Sequence, residues 1–195
     1  MPNNAAPNDT ANDTIDRFVV EWTAERPDLD FNYLATIGRI LRISAHLREE
    51  MDAWLSPFGL SWEMFDLLVS LRRSGGKNGM RPTELYEACM LSSGATTNRV
   101  DRAEKLNYAV RRPDPDDGRA TRIALTRRGQ TLADKAMTEH SARAGDIADG
   151  LTAKEQEQLA FLLRKMLRSF EAQAEPANAS NKKTPAKRKA ADAAA

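Results

Sequence analysis

Short polar side chains cluster at the start of one predicted helix. Residues 92–107 begin with Ser92 and Ser93, and Thr97 and Asn98 follow one turn later. Hydroxyl and carboxamide groups of this length can hydrogen-bond to base edges or phosphate oxygens when a helix enters the major groove of DNA. We therefore treat these four side chains as candidate nucleic-acid contacts.

Arginines follow on a segment whose residue pattern changes from helical to alternating. Two short alternating runs between residues 108 and 125 are joined by Pro-Asp-Pro-Asp-Asp-Gly, which predicts a β-hairpin with a longer loop. Arg119 at the hairpin tip would lie near the minor groove, whose negative potential attracts a guanidinium group. Arg112 and Arg122 on the two runs are further candidate DNA contacts. Nine Lys or Arg against five Asp or Glu over residues 92–128 give a local net charge of +4; solvated charges on an ordinary hairpin are the alternative explanation.

A second group of residues has the chemistry to recognise an anion. Asp66 stands among apolar residues of a predicted helix, where a partly buried carboxylate needs a cationic or hydrogen-bonding partner. Arg99 falls near the inward-facing stripe of its helix, an unusual place for a guanidinium group unless an anion or carboxylic acid meets it. A flat anion could stack on Trp22 and accept paired N–H bonds from an arginine. The alternatives are a plain buried Asp66–Arg99 ion pair and a Trp22 that only anchors a packing helix.

The other reactive residue types indicate no catalytic or metal site. The single cysteine, Cys89, is interpreted as a buried structural thiol, with a redox-sensing thiol as the alternative. The two histidines, His46 and His140, are too few and too far apart for a metal site. The segment SGGKNG (74–79) lacks the spacing of a phosphate-binding loop. Because no nucleophile–base pair or catalytic carboxylate motif occurs, we expect no enzymatic activity, no cofactor and no metal.

Length, composition and charge suit one domain of ordinary size with room for tails. The chain has 195 residues, 29% of them charged, and a formal net charge of +1, so any basic surface must be local. The polar N-terminus excludes a signal peptide, and no run reaches the roughly 18 apolar residues of a membrane helix. One cysteine excludes an internal disulfide and suits a reducing compartment. We expect a soluble, cytoplasmic protein without membrane contact.

Helical periodicity dominates between two polar ends. The predicted helices cover 31–56, 61–73, 82–90, 92–107, a stretch from the N-cap Thr126 to about 149, and a C-terminal stretch that begins with a capping box at Thr152 and Glu155. The composition of 1–13 and of the basic segment 174–195 predicts disorder. The basic tail either aids solubility or contacts phosphates without sequence preference.

The order of these elements predicts a mainly α protein with a small β-hairpin wing. A short helix, a turn, a second helix and a hairpin together describe a winged helix-turn-helix, with the helix at 92–107 in the major groove. Wide apolar stripes on 31–56 and 151–170 are suited to a dimer interface. The pattern therefore predicts a DNA-binding protein with N- and C-terminal dimerisation helices.

The wing carries a specific motif. Its residues are Asp117, Arg119, Leu125, Thr126 and Gly129. The motif resembles that of the MarR family of bacterial transcription regulators, and residues 92–117 are similar to the family's recognition helix and wing strand. The resemblance extends over residues 31–172.

Membership of this family would imply a homodimer whose first and last helices intertwine. Each subunit would place one winged domain on half of a palindromic operator of double-stranded DNA. The implied organisation is a single domain over 14–173, with the winged helix-turn-helix at 61–128, dimerisation helices at 31–56 and 126–173, and an extra N-terminal helix at 14–26.

A narrower resemblance concerns the ligand. Trp22 and the Pro-Asp-Leu-Asp ending of residues 14–30 look like the N-terminal helix of the family's urate-responsive branch. That branch uses a tryptophan, an aspartate and two arginines for urate binding and signalling. The matching positions are Trp22, Asp66, Arg99 and Arg111. Most relatives outside the branch have an apolar residue at the Arg99 position, so this departure fits the branch.

Three functions stay open. The resemblance implies a repressor that urate, xanthine or a related anionic purine releases from DNA. A regulator that responds to a phenolic or other aromatic acid is the second possibility, and an architectural DNA-binding protein without a ligand is the third. Asp66 and Arg99 favour a ligand-responsive regulator, because a purely architectural protein has no use for an inward acid and arginine.

Overall fold

The computed structural model describes residues 12–76, 78–89 and 93–181. Its main elements, in chain order, are α1 Thr14–Glu25, α2 Ile37–Leu55, α3 Trp62–Ser74, α4 Pro82–Ala88, α5 Ser93–Lys105, β1 Ala109–Pro113, β2 Thr121–Leu125, α6 Arg127–Ala144 and α7 Ala153–Asn181. Short 3-10 helices cover Asn32–Ala35, Ser56–Phe58 and Asp146–Ala148. The predicted class, mainly α with a β-hairpin wing, is confirmed. In the part of the chain described, no helix has the length and apolar character of a membrane span.

The described residues form two compact units that divide after Asp146. The first unit contains α1 to α6 and the hairpin, and the second contains α7. The single domain predicted for 14–173 stays a prediction, and apolar side chains of α7 are exposed in the single chain. The exposed residues are Leu159, Phe161, Leu162, Leu163, Leu167 and Phe170.

Helix α3 supplies the centre of the first unit's core. Its Phe65, Leu67 and Leu68 side chains are almost completely buried, and α3 packs against α5 and α6. Ala103 on α5 and Ala133 on α6 are also fully buried, and such small residues let neighbouring helices approach closely. Burial of these apolar side chains is the main source of stability for the platform that carries the hairpin.

The hairpin is a two-stranded antiparallel sheet in which Ala109 lies opposite Leu125. A hairpin of this size is only marginally stable by itself. Met80, just before α4, adds a bridge at its edge: the Met80 N–H donates to the Ile123 carbonyl at 2.9 Å, and the Ile123 N–H donates back at 2.8 Å. The wing is therefore anchored by backbone hydrogen bonds to the segment that leads into α4.

Thr126 and Gly129 join the hairpin to α6. The Thr126 Oγ1 accepts the Gly129 N–H at 3.0 Å and donates to the Asn107 carbonyl at 2.7 Å, so the predicted N-cap is confirmed. A Cβ atom on Gly129 would lie 1.9 Å from the Tyr108 carbonyl oxygen. Close backbone contact therefore explains the glycine of the wing motif.

Helix α1 docks on α2 through its N-terminus. Asp13 is the N-cap, accepting the Ile15 N–H at 2.7 Å and the Asp16 N–H at 3.0 Å. Arg39 on α2 pairs with both acids at 2.7 Å, while Ile15 is buried. Asp13, predicted as the last residue of a disordered N-terminus, is thus an ordered cap, and residues 1–11 lie outside the described residues.

Three predicted helix boundaries are wrong. The helix predicted to continue to about 149, α6, ends at Ala144. The helix expected over 31–56 begins with a 3-10 turn, because Asp30 accepts the Asn32 N–H at 2.9 Å and the Thr36 N–H bonds back to Tyr33. Helix α7 continues to Asn181, into the segment predicted as a tail. Alanine, the strongest helix former, recurs in this stretch. The basic residues 182–195 lie outside the described residues.

Candidate nucleic-acid interface and ligand site

Helices α4 and α5 with the hairpin form the winged helix-turn-helix. Thr97 and Asn98 are exposed on the first half of α5. Ser93 begins this helix, which places it at the same end, and Ser92 lies outside the described residues. The predicted polar contacts that the structure describes therefore occupy the N-terminal half of one helix, the part that reaches base edges in such domains.

The wing presents Arg119 and Arg112 at its surface. Arg119 is exposed in the tip loop, where its backbone N–H donates to the Asp117 carboxylate at 3.1 Å and leaves the guanidinium group to solvent. Arg112 is exposed on β1. Both are in positions from which an arginine can contact a DNA backbone or minor groove.

Arg122 is placed differently from the sequence-based expectation. Its side chain is only 18% exposed and pairs with Asp114 at 2.9 Å, and it donates to the Gly79 carbonyl at 3.1 Å. The Nε and Nη1 atoms of Arg122 therefore bond to protein groups, which favours a role in attaching the wing over the predicted DNA contact. This position follows from the pairing of β2 with β1, which directs the Arg122 side chain toward the buried carboxylate of Asp114.

Asp114 is a buried, ion-paired acid of the wing that the sequence did not indicate. Its side chain is completely buried, and the Asp116 N–H, Arg81 and Arg122 together lower the pKa of Asp114 to about 2. The Asp116 N–H donates to it at 2.9 Å, the bond of an Asx turn. The Asp-Pro-Asp sequence was a signal for that turn, but not for burial.

Arg111 ties β1 to α5. It pairs with Asp101 at 2.7 Å and with Glu104, and its backbone N–H also donates to Glu104 at 2.9 Å. Arg111 was predicted as a ligand or signalling residue together with Asp66. Its partners are instead acids of α5, so it couples the recognition helix to the wing.

Asp66 lies half-buried on α3 beside polar groups of α4 and α5. Burial raises the pKa of Asp66, while the attraction of Arg99 and a hydrogen bond with Cys89 oppose the rise. Cys89 is itself buried, and burial raises the pKa of its thiol. A carboxyl with a raised pKa inside a helix-turn-helix marks a candidate functional site.

Arg99 is half-buried on α5 and faces acids of α3. Its charge acts on both Asp66 and Glu63. Among the described residues, however, Arg99 has no ion-pair partner within 4.0 Å. A half-buried guanidinium group that lacks a close carboxylate is available to an anion of suitable shape.

Trp22 lies on α1 and is 51% exposed. One face of its ring stacks on Phe31, with ring centroids 5.6 Å apart. Of the four predicted ligand residues, the structure brings Asp66 and Arg99 together, whereas the contacts described for Trp22 and Arg111 are with other residues.

Comparison with known proteins gives the family. A sequence model described as "MarR family" matches residues 58–120, from the end of α2 to the wing tip. The chain is 32% identical to the HTH-type transcriptional regulator PecS of Dickeya dadantii over 149 residues, covering 76% of this chain and 90% of PecS. These relatives are transcriptional regulators rather than enzymes.

Solved structures share the fold. A MarR variant from E. coli crystallised with operator DNA is 25% identical, with a TM-score of 0.62 over 71% of this chain and 99% of that one. AbsC, a MarR family regulator from Streptomyces coelicolor, has a TM-score of 0.67 at 24% identity, covering 74% and 97%. With its winged helix-turn-helix, exposed polar recognition helix and arginine-tipped wing, the chain belongs to the MarR family of DNA-binding transcriptional regulators.

Proposed function

We propose that the protein is a homodimeric repressor that an anionic purine such as urate or xanthine releases from a palindromic operator. Exposed apolar residues on α2 and α7 support dimerisation: Leu41 is 67% and Phe170 61% exposed in the single chain. A two-fold dimer would present two copies of α5 to the two halves of a palindrome.

The DNA contacts divide between α5 and the wing. Ser93, Thr97 and Asn98 in the first half of α5, together with Ser92, which precedes this helix in the sequence, reach base edges and phosphates in the major groove. Arg119 enters the minor groove from the wing tip, and Arg112 contacts the backbone beside it. The exposure of Thr97, Asn98 and both arginines supports this division.

The observation that carries the ligand proposal is the Asp66–Arg99 arrangement. A half-buried carboxyl with a raised pKa interacts with a half-buried arginine that has no close carboxylate among the described residues. A purely structural Asp66–Arg99 ion pair would be more stable with a short, bidentate contact. The lack of such a contact suits a site in which a bound anion pairs with Arg99.

Trp22 selects a flat ligand. Phe31 covers one side of its ring and the side chain remains half-exposed, so a planar ring can stack on the other side. Urate and xanthine combine a flat ring with adjacent acceptors for an arginine fork. An anionic purine offers a ring for Trp22 to stack on and an anionic edge for Arg99, whereas a small inorganic anion offers only the charge.

Release of DNA follows from competition for Arg99. A bound anion competes with Asp66 for Arg99, and the loss of the attraction between Asp66 and Arg99 shifts α5. Arg111 on β1 pairs with Asp101 and Glu104 of α5, so it transmits this shift to the wing. The ligand must prefer the DNA-incompetent arrangement. A preference of about 10- to 100-fold corresponds to about 1.4–2.7 kcal/mol of coupling.

Titration of the protein–operator complex with urate tests the proposal. We expect urate and xanthine to dissociate the complex in gel shifts, while hypoxanthine, a neutral purine of similar shape, does not. Arg99→Ala should blunt the response. Trp22→Phe should weaken ligand binding with little effect on operator affinity.

Intrinsic fluorescence separates binding from release. Trp22→Phe removes the reporter at the site and keeps Trp54 and Trp62, so a urate-induced change that survives this substitution would place the ligand elsewhere. If urate and xanthine leave the complex intact at millimolar concentration, the purine assignment fails, and a panel of phenolic acids tests the aromatic-acid alternative.

A further inference from the structure

Three charged side chains hold the wing against the start of α4. Asp114, just beyond β1, accepts hydrogen bonds from the Nε of Arg81 at 2.7 Å and from the Nε of Arg122 at 2.9 Å. Arg81 immediately precedes α4, and Arg122 belongs to β2. We name Arg81, Asp114 and Arg122 the wing clasp.

The same aspartate also organises the tip loop. Its Oδ1 accepts the Asp116 N–H at 2.9 Å, and its own N–H donates to the Ala120 carbonyl at 2.9 Å. Ala120 is followed by β2 and preceded by Arg119, so these bonds close the loop at both ends. One buried side chain therefore joins α4, the strands and the loop that carries the exposed arginine.

We propose that Asp114 is a positioning residue for DNA binding, which sets the angle of the wing so that Arg119 reaches the minor groove. This inference rests on the DNA contact proposed for Arg119. Asp114 itself is buried and cannot touch DNA. It acts through the two arginines and through the loop that they hold.

The electrostatics of the wing clasp make the carboxylate irreplaceable by an amide. Asp114 neutralises two guanidinium groups that approach the same oxygen atom. The oxygen of asparagine could accept both arginine hydrogen bonds, but the neutral amide would leave the two positive charges facing each other, and its NH2 group could not accept the Asp116 N–H. Glu84, at 3.8 Å from Arg122, and Asp117, which acts on Arg81, offset these charges from a greater distance. Removing the carboxylate is costly mainly at Arg122, whose side chain is only 18% exposed and would lose its nearest acid.

A count of charges alone predicts that Asp114→Asn strengthens DNA binding, the opposite of what the positioning role predicts. The surface from α5 to the wing is basic, and removing any carboxylate from it should strengthen binding to a polyanion. Asp114→Asn should nevertheless weaken binding if the wing clasp positions Arg119. The direction of the change therefore separates a positioning role from a general electrostatic one.

Operator affinity of Asp114→Asn and Asp116→Asn provides the matched comparison. Both substitutions remove one negative charge from the wing, but the Asp116 side chain is exposed and the substitution keeps its backbone N–H. We expect Asp114→Asn to lose about tenfold in affinity, the size of one lost arginine contact. Asp116→Asn should bind equally or slightly more tightly.

A double-mutant cycle with Arg119→Ala locates the effect. In the wild-type protein, Arg119→Ala should weaken binding and reduce the slope of log K against log salt by about one phosphate. In the Asp114→Asn protein, Arg119→Ala should have little further effect, since the arginine is already displaced. A change in global stability alone would leave the two effects additive.

Circular dichroism and thermal unfolding show whether Asp114→Asn folds. If it does not, Arg81→Lys takes its place, because lysine keeps the charge but not the guanidinium geometry; it should also weaken binding and suppress the effect of Arg119→Ala. Tighter binding by Asp114→Asn, or full additivity in the cycle, would overturn the positioning role. If Arg119→Ala has no effect on the wild-type protein, the proposed wing contact fails, and the role of Asp114 fails with it.

Discussion

At the scale of single residues, His140 on α6 is enclosed by three aromatic rings. The ring centroids of Trp54, Trp62 and Phe65 lie 6.1, 6.1 and 5.2 Å from that of His140. The Nδ1 atom is buried and, within the described part of the chain, has no hydrogen-bond partner. Burial therefore lowers the pKa of His140 below its ordinary value of 6.5.

This environment predicts a loss of stability in weak acid. Below pH 6.5 the unfolded chain protonates His140 while the folded protein keeps it neutral, so the free energy of unfolding decreases as the pH falls from there toward the lowered pKa. His140→Phe keeps an aromatic ring in the site and should remove this part of the pH dependence. The measurement is urea unfolding at a series of pH values.

A pH profile of His140→Phe that matches the wild-type profile would contradict this prediction. His140 would then titrate in the folded protein as it does in the unfolded chain.

Burial also explains which site residues could be predicted from sequence. Asp66 and Arg99 interrupt apolar stripes within single helices, so local periodicity was enough to single them out. Asp114 and Arg122 lie in a hairpin that carries many charges, and the sequence shows no difference between a solvated acid and a buried one. Arg81, the third member of the wing clasp, lies just before α4, and only the tertiary fold brings it close to Asp114.

At the scale of elements, two opposing effects act on Gly129 at the junction between the hairpin and α6: helix propensity and steric fit. Gly129 lies in the first turn of α6, where alanine would favour the helix by about 1 kcal/mol. A Cβ atom at this position would lie 1.9 Å from the Tyr108 carbonyl oxygen, which is backbone and cannot rotate away. The steric conflict is the larger effect, since overpacking a tight site costs about 1–3 kcal/mol or more.

We therefore expect Gly129→Ala to destabilise the protein, despite its better helix propensity. Gly145→Ala is the matched control, because a Cβ atom there meets no atom within 4 Å; this variant should be equally or slightly more stable than the wild type. Thermal unfolding of the two variants compares them directly. Equal stability of Gly129→Ala and the wild type would mean that α6 can shift away from Tyr108.

The order of the elements was predictable, whereas their boundaries were not. Apolar spacing located α3 and α5, and the change to alternation located the hairpin, because these patterns reflect burial on one face. The 3-10 turn at Asn32–Ala35 is held by the bond from the Asn32 N–H to the Asp30 side chain and by backbone bonds within the turn. The bridge between Met80 and Ile123 joins segments far apart in sequence, and no local pattern indicates it.

At the scale of the whole molecule, apolar side chains remain exposed on both dimerisation elements predicted from sequence. On α2, Leu41 and Ile43 are more than half exposed, and α7 carries a longer series that includes Leu163 and Phe170. Contiguous apolar surface of this kind is rarely left uncovered in a monomeric protein. We expect a second copy of the chain to cover this surface, because the palindromic operator proposed above needs two recognition helices related by a two-fold axis.

Substitution on α7 tests the dimer and its link to DNA binding. Leu163→Glu places a charge among apolar side chains and should shift the protein from dimer to monomer in light scattering at micromolar concentration, because an unpaired charge at an interface costs several kcal/mol. Gln158→Glu adds the same charge at a polar, exposed position of the same helix and should remain a dimer. The Leu163→Glu monomer should also bind a full palindrome no better than a half-site, since each monomer carries only one winged domain.

A wild-type protein that is a stable monomer at these concentrations would contradict the proposed architecture. A Leu163→Glu variant that remains a dimer would show that the interface does not include this part of α7.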